Sequence, residues 1–381
     1  MKGLKVKLKP TPEQEKLMWQ SVGVNRFIWN FILDHLENHS PHMSESDMRK
    51  FINHTLKQMK EYSWLKIVSQ NVIKEAVKLC YKTWYRYLKG EIGRPKYKAR
   101  YFDKPSFYVN YESIKSYGYY VHCEKLGRIQ LTHALKQYPK YYNPHIVYEK
   151  DRGWYLTFSV DTSVIETELS GVIGVDLGLK EAAIVSNGLT FPNINKTQEV
   201  IRLEKKLKRV NRKLSRQLNQ NILSKEYTKN GKVKNIQYKR PLHECLNYQK
   251  TLKIRRRILR RLSHIRENHN HHISKAIVNL NAETIVMEKL NIKGMMKNKH
   301  LSRSLQNMAW FDLRRMITYK AEQIGAKVHL VDTFYPSSKL CSNCGNLKKV
   351  LKLSERTYQC DCCHLSIDRD LNAAINLANA I

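Results

Sequence analysis

The stretch Ser170–Phe191, "SGVIGVDLGLKEAAIVSNGLTF", decides how this chain folds. Its apolar run Val172–Val175 has the length of a short strand and ends in an acid, Asp176. Gly178 permits a tight turn, and Ala182–Val185 and Leu189–Phe191 follow as further strands, giving a β-meander. The same device returns in "AETIVMEKLNIKGM", where the apolar strand Thr284–Met287 ends in Glu288. "NMAWFDLRRMITYKAEQIGA" reads as one helix closing at Gly325, and "KVHLVD" as a strand. Near the end, "CDCCHLSIDRDLNAAINL" (Cys360–Leu377) runs three cysteines into Asp368, Asp370 and a helix of small residues.

Between the two acid-ending strands the pattern is helical. Leu203, Leu207, Val210 and Leu214 recur at spacings of four, three and four, and Ile258, Leu262 and Ile265 repeat the stripe. This predicts a helical hairpin over 196–280 with a polar tip near 219–245. From Ile201 to Arg260 there are 20 Lys and Arg against Glu204, Glu226 and Glu244. Signs so unequal cannot pair internally, which favours contact with nucleic acid over a merely solvated face. Upstream, "MKGLKVKLKP" alternates as a strand, Thr11 caps a helix with Pro12 at its first position, and helices continue to about Leu88. Gly90–Tyr101 is a basic loop containing Lys96 and Lys98, followed by Tyr-rich alternating strands to about Asp161.

The chain of 381 residues carries a net charge of +35, for which a polyanion is the natural partner. No apolar run reaches the roughly 18 residues of a spanning helix, and no secretory signal opens the chain, so the expectation is a cytoplasmic, nucleoid-associated protein with no membrane partner. Of eight cysteines, Cys80, Cys123 and Cys245 lie far apart as ordinary thiols. Cys341-x-x-Cys344 and Cys360-x-x-Cys363 present two pairs, the spacing of a structural zinc site. Gly345 suits the positive φ of the first turn. Cys362 and His364 are alternatives to Cys363, which the spacing favours. Four thiolates leave no open coordination position, so this ion staples the fold.

Asp176, Glu288 and either Asp368 or Asp370 each have a plain reading as a turn or helix-start acid. Gathered at one sheet edge they would repel, and their pKa values would rise, unless divalent cations held them. Hard oxygen ligands select Mg²⁺ or Mn²⁺. Two such ions about 3.5–4 Å apart activate water and stabilise the leaving oxygen of a phosphodiester. In a basic chain this constellation indicates a nuclease.

The order Asp…Glu…Asp on "GVDLGLK", "IVMEKLN" and "DRDLNAAINL" resembles the RuvC-type RNase H fold of the transposon-encoded TnpB proteins, relatives of the type V CRISPR effectors. "KVKLKPTPEQEKLM", "NRFIWN", "GRPKYKAR", "NMAWFDLRRMITYKAE" and "YPSSKLCSNCG" resemble further signatures of that family, in the same order. The resemblance implies an RNA-guided DNA endonuclease acting as a monomer on one RNA. Its guide derives from the element's end, and it cuts both strands of double-stranded target DNA beside a short flanking motif, with one RuvC site. It implies that the acids are Asp176, Glu288 and Asp370 rather than Asp368. It also implies an α+β, two-lobed architecture. Residues 1–10 and 90–165 would form a wedge-like β-barrel, with 11–89 as its helical recognition insert. Residues 166–332 would form the RuvC core, with 196–280 inserted, 333–367 a zinc ribbon, and 368–381 the helix carrying the third acid. The family's second knuckle usually ends Cys-Gly, whereas here His364 follows Cys363.

Smaller features divide. Gln70, Asn71 and Lys74 are expected to read the flanking motif, since amides pair with adenine and Lys with guanine acceptors. Ser337, Ser338 and Lys339 suit either a capping turn or a phosphate contact. His264, His269, His271 and His272 read as a polar helix face rather than a metal site, and Trp310 and Phe311 as core. Two competing functions are weaker. A catalytically silent RNA-guided transcriptional regulator is expected to lack a triad acid, and a strand-transfer transposase orders its acids Asp…Asp…Glu.

Overall fold

The computed structural model describes all residues except 40–41, 101–102, 162–166, 229, 299–301 and 353–354. The end of the basic loop at Tyr101 and the boundary drawn at 165/166 lie outside the described residues. The chain divides into two compact units, Met1–Thr162 and Ser163–Ile381.

In the first unit six strands pair in the order Ser106–Tyr108, Tyr142–Glu149, Gly153–Val160, Lys2–Lys9, Gly127–Leu135, Lys115–Cys123. Every pairing is antiparallel. Lys2–Lys9 joins two halves, because its first residues pair with Gly153–Val160 and its last two with Gly127–Leu135. The end strands of this order share no ladder among the described residues, so the pairing is a continuous open sheet and not a hydrogen-bonded ring. The helix Pro12–Asn38 starts where Thr11 and Gln14 cap each other reciprocally. With Gln70–Leu88 it covers the sheet, and Met18, Ile28, Ile32, Val77 and Tyr81 share one core with Ile129, Ile146, Trp154 and Leu156.

The second unit is built on a five-stranded sheet in the order Lys327–Val331, Thr284–Glu288, Val172–Asp176, Glu181–Val185, Thr190–Pro192. The first three strands are parallel and the last two continue as an antiparallel meander. Alternation sends Val175, Met287 and Ile285 to one face. There they pack with Ile273 and Ile277 of the helix Leu246–Val278 and with Leu313 and Ile317 of the helix Trp310–Gln323. The opposite face carries Gly174, Val286 and Val331 and receives the last helix, Arg369–Ala378, through Leu377.

The stripe over 196–280 appears as two helices, Gln198–Gln220 and Leu246–Val278, with Val200, Leu203, Leu207 and Val210 against Ile258, Leu262 and Ile265. Two expectations are corrected here. The polar tip holds a two-stranded ribbon, Ile222–Tyr227 with Val233–Tyr238. The single helix expected over 307–326 is broken at Ala309, where φ is +50°, into Ser302–Met308 and Trp310–Gln323. On a continuous helix, residues two apart point about 200° from each other. The break lets Met308 and Trp310 both enter the core. No helix among the described residues is long and apolar enough to cross a membrane.

Candidate functional site

Strand register brings the first two acids together. The parallel ladder runs to Met287 opposite Val175, and Glu288 and Asp176 are the next residues on their strands, so they stand side by side on one face. Gly174, two residues before Asp176, points to that same face. A Cβ built on Gly174 would lie 1.9 Å from the Ala374 carbonyl oxygen and 2.6 Å from the Ala378 nitrogen. Only glycine lets the last helix lie this close, and Ala373 and Ala374 are small on the helix side. That approach carries Asp370, in the helix's first turn, to the strand ends.

Asp368 and Asp370 separate by what their oxygens do. Asp368 is the N-cap, and its Oδ1 accepts from the backbone N–H groups of Asp370 (2.9 Å) and Leu371 (3.1 Å). Asp370 caps nothing in this way: the Arg369 guanidinium lies 3.4 Å from its Oδ1, and its charge acts on Asp176. Burial pushes the Asp176 carboxyl up to about 7, and the charges of Asp370 and Glu288 add to the rise, while Arg369 opposes it. Burial also raises Glu288. Asp176 and Glu288, both raised by burial, are a donor pair that a divalent cation would relieve, with Asp370 beside them.

The sulfurs of Cys341, Cys344, Cys360 and Cys363 all lie within 4.8 Å of one another, the one such group of three or more potential ligands among the described residues. The Cys341–Cys363 and Cys344–Cys360 separations are 3.5 and 3.6 Å. The backbone N–H groups of Cys362 and Cys363 donate to the Cys360 sulfur at 3.4 Å, and the first cause of its lowered pKa is the Cys363 N–H. Cys362 and His364 are exposed and outside the set. His364 has φ +57° and Gly345 φ +73°, so both knuckles turn through the left-handed region.

Two residues that the sequence reading missed connect this centre to the acids. Asn372 and Asn376, 0% and 2% exposed, lie four residues apart on the last helix. Asn372 donates to the Leu340 carbonyl at 2.7 Å and accepts from the Ser342 N–H at 3.0 Å. Asn376 donates to the carbonyls of Ser337 (2.8 Å) and Leu340 (2.6 Å). The run into the first knuckle is thus clamped to the helix carrying Asp370. An asparagine pair at helical spacing inside the small-residue stripe of "DLNAAIN" was the available signal.

The remaining predicted residues are scattered. Gln70, Asn71 and Lys74 line one pocket of about 400 Å³ with Arg49, Asn53 and Glu124. Asn71 donates its amide to Glu124 at 2.8 Å. Lys96 is exposed, whereas the Lys98 ammonium lies 4.1 Å from the centre of the Trp29 ring and burial lowers its pKa. Lys339 is exposed. His264, His269, His271 and His272 all lie within the helix Leu246–Val278. Trp310 is core as expected, but Phe311 is 59% exposed beneath Arg314.

Residues 310–377, spanning the four cysteines and Asp370, match the family described as "Cas12f1-like, TNB domain". Residues 1–39 match the family HTH_OrfB_IS605, described as "Helix-turn-helix domain". In this chain that stretch is one strand and one 27-residue helix. A "Putative RNA-guided DNA endonuclease InsQ" of Escherichia coli is 23% identical over 100% of this chain and 92% of its own length. The chain is similar to the TnpB family. A second relative, a "Putative RNA-guided DNA endonuclease" of Streptomyces pristinaespiralis, is 37% identical over 131 residues. That match covers 34% of this chain and 32% of the relative, so the chain spans about a third of that protein's length. The solved structure titled "Cryo-EM structure of CasPhi-2 (Cas12j) bound to crRNA" aligns over 99% of this chain and 97% of its own, with TM-score 0.47 and 12% identity.

Proposed function

We propose that this protein is a TnpB-type RNA-guided DNA endonuclease of a mobile element, cutting target DNA beside a short flanking motif at one site formed by Asp176, Glu288 and Asp370. One observation supports the reading above all: three acids distant in the chain converge, since Asp176 and Glu288 end adjacent parallel strands in register and the helix that carries Asp370 lies against Gly174, two residues before Asp176. The same activity appears in the names of the Escherichia coli and Streptomyces relatives.

In this reading the three carboxylates hold two Mg²⁺ ions, with Mn²⁺ as substitute, which when bound activate water and stabilise the leaving oxygen. Asp176 and Glu288 come from rigid parallel strands and Asp370 from a helix pinned at Gly174, so the donor set is held before substrate arrives. Arg369 balances charge beside Asp370. The four cysteines fit a tetrahedral structural zinc, which fixes the run that Asn372 and Asn376 grip.

For the nucleic acids, a groove of about 750 Å³ in the second unit is lined by Lys208, Arg212, Arg216 and Arg303 and no acid, suited to a phosphate backbone. The pocket at Gln70, Asn71 and Lys74 would read the flanking motif. The test is full-length protein with its co-purified RNA and Mg²⁺, given plasmid carrying a matched target beside candidate motifs. Wild type should linearise it, and Asp176→Ala, Glu288→Ala and Asp370→Ala should each fail to. Undiminished cutting by any of the three would overturn the assignment.

A further inference from the structure

Phe334 is 90% exposed, more than any other large hydrophobic residue among those described. A phenylalanine bare in water is ordinary on a loose loop, but this one is held on both sides. Thr333 donates its hydroxyl to the Lys289 carbonyl at 2.6 Å, and Lys289 directly follows Glu288. Tyr335 is half-buried against Val286, Val331 and Leu377, and its hydroxyl donates to the Asn376 carbonyl at 3.1 Å, on the helix that carries Asp370. The Phe334 N–H itself donates to Asp332 Oδ1 at 2.9 Å, closing a tight turn. The loop begins after Val331, the ladder partner of Glu288. The backbone that carries this exposed ring is therefore tied to the residue after Glu288 and to the helix that carries Asp370, with the exposed cation Lys289 at its root.

We infer that Phe334 stacks on an unpaired base of the DNA strand being cut and so sets which phosphodiester meets the acids. The chemistry selects the occupant. Phenylalanine offers a π-face and no hydrogen-bond donor, so it suits any base without reading identity. A base already stacked in a duplex has no free face, so the strand must be single. Phe334 is a positioning residue in this account, and the account rests on the nuclease reading above.

The test uses full-length Asp370→Ala protein with its co-purified RNA and a matched target carrying 2-aminopurine at successive positions around the cut. Stacking quenches that base, so one position should darken on binding. Phe334→Ala should restore its emission and Phe334→Trp should not. In the catalytically intact protein, Phe334→Ala should lower kcat/KM by about tenfold, the order expected for one lost base stack, and spread the cut over neighbouring positions. Because Phe334 has almost no packing, loss of folding is not expected. Unchanged emission together with an unchanged cut position in Phe334→Ala would overturn the inference. Emission is read from binding, so the stacking is judged even if Asp370→Ala still cuts, an outcome that would instead defeat the active-site assignment.

Discussion

Asp176 holds its proton to about pH 7, against an ordinary carboxyl near 4, because burial and the charges of Asp370 and Glu288 oppose ionisation. As pH rises through that interval the unfolded chain releases the proton while the folded chain keeps it. The folded state then binds more protons, so stability of the metal-free protein should fall between about pH 4 and pH 7 and level off above. Asp176→Asn should flatten the fall, and Mg²⁺ should cancel it in wild type while changing little in the variant. Thermal midpoints at pH 5 and pH 8, with and without Mg²⁺, measure this; an equal fall in Asp176→Asn would show that another group is responsible. His364 offers a second test with no titration in it. It occupies the left-handed region at φ +57°, as Gly345 does at +73°, without glycine's freedom. Removing a strain of about 1–2 kcal/mol, less the greater unfolded-state entropy of glycine, His364→Gly should stabilise the knuckle by about 0.5–1 kcal/mol. A lower thermal midpoint would mean that the imidazole makes a contact worth more than the strain.

The helix Arg369–Ala378 reaches its place because nothing stands between it and the strand at Gly174. Gly174→Ala would set a Cβ 1.9 Å from the Ala374 carbonyl, and since that neighbour is backbone the helix must move. Overpacking of this kind costs about 1–3 kcal/mol, and Asp370 moves with the helix. Cleavage should drop sharply while co-purified RNA stays bound; cutting at the parental rate would show that Asp370 tolerates displacement. This contact also marks the limit of reading the sequence alone. The strands Val172–Asp176 and Thr284–Glu288 were legible because each is a short apolar run ending in an acid. The paired cysteines were legible because their spacing is local. That Gly174 faces a helix two hundred residues later is a tertiary fact with no local period, and it first reads as an ordinary strand residue. The break at Ala309 was hidden for a related reason: alanine favours helix, and only the joint burial of Met308 and Trp310 demands the interruption. The ribbon Ile222–Tyr227 with Val233–Tyr238 escaped because its residues are nearly all exposed, leaving no buried alternation to find.

The whole chain carries +35, and several acids of the basic helical hairpin already have partners. Glu204 already receives Arg266 at 2.9 Å and Arg303 at 3.2 Å, and Glu199 receives Arg261 at 2.8 Å. The 20 Lys and Arg between 201 and 260 share that stretch with only three acids, Glu204, Glu226 and Glu244. Such a protein repels itself when folded alone, and salt relieves that repulsion, because the Debye length shortens from about 10 Å at 0.1 M to a few ångströms near 1 M. With RNA bound the sign reverses. Attraction to phosphates is then part of what holds the fold, and salt weakens it by favouring counterion return. The thermal midpoint of RNA-free protein should therefore rise between 0.1 and 0.5 M KCl, while that of the RNA complex falls, the two curves converging. Calorimetry on both forms across that range decides it. A free chain indifferent to salt would mean that its surplus charges are too dispersed to act on the fold. A complex that gained stability with salt would mean that the RNA is not held by phosphate contacts, and the basic groove at Lys208, Arg212 and Arg216 would lose its role.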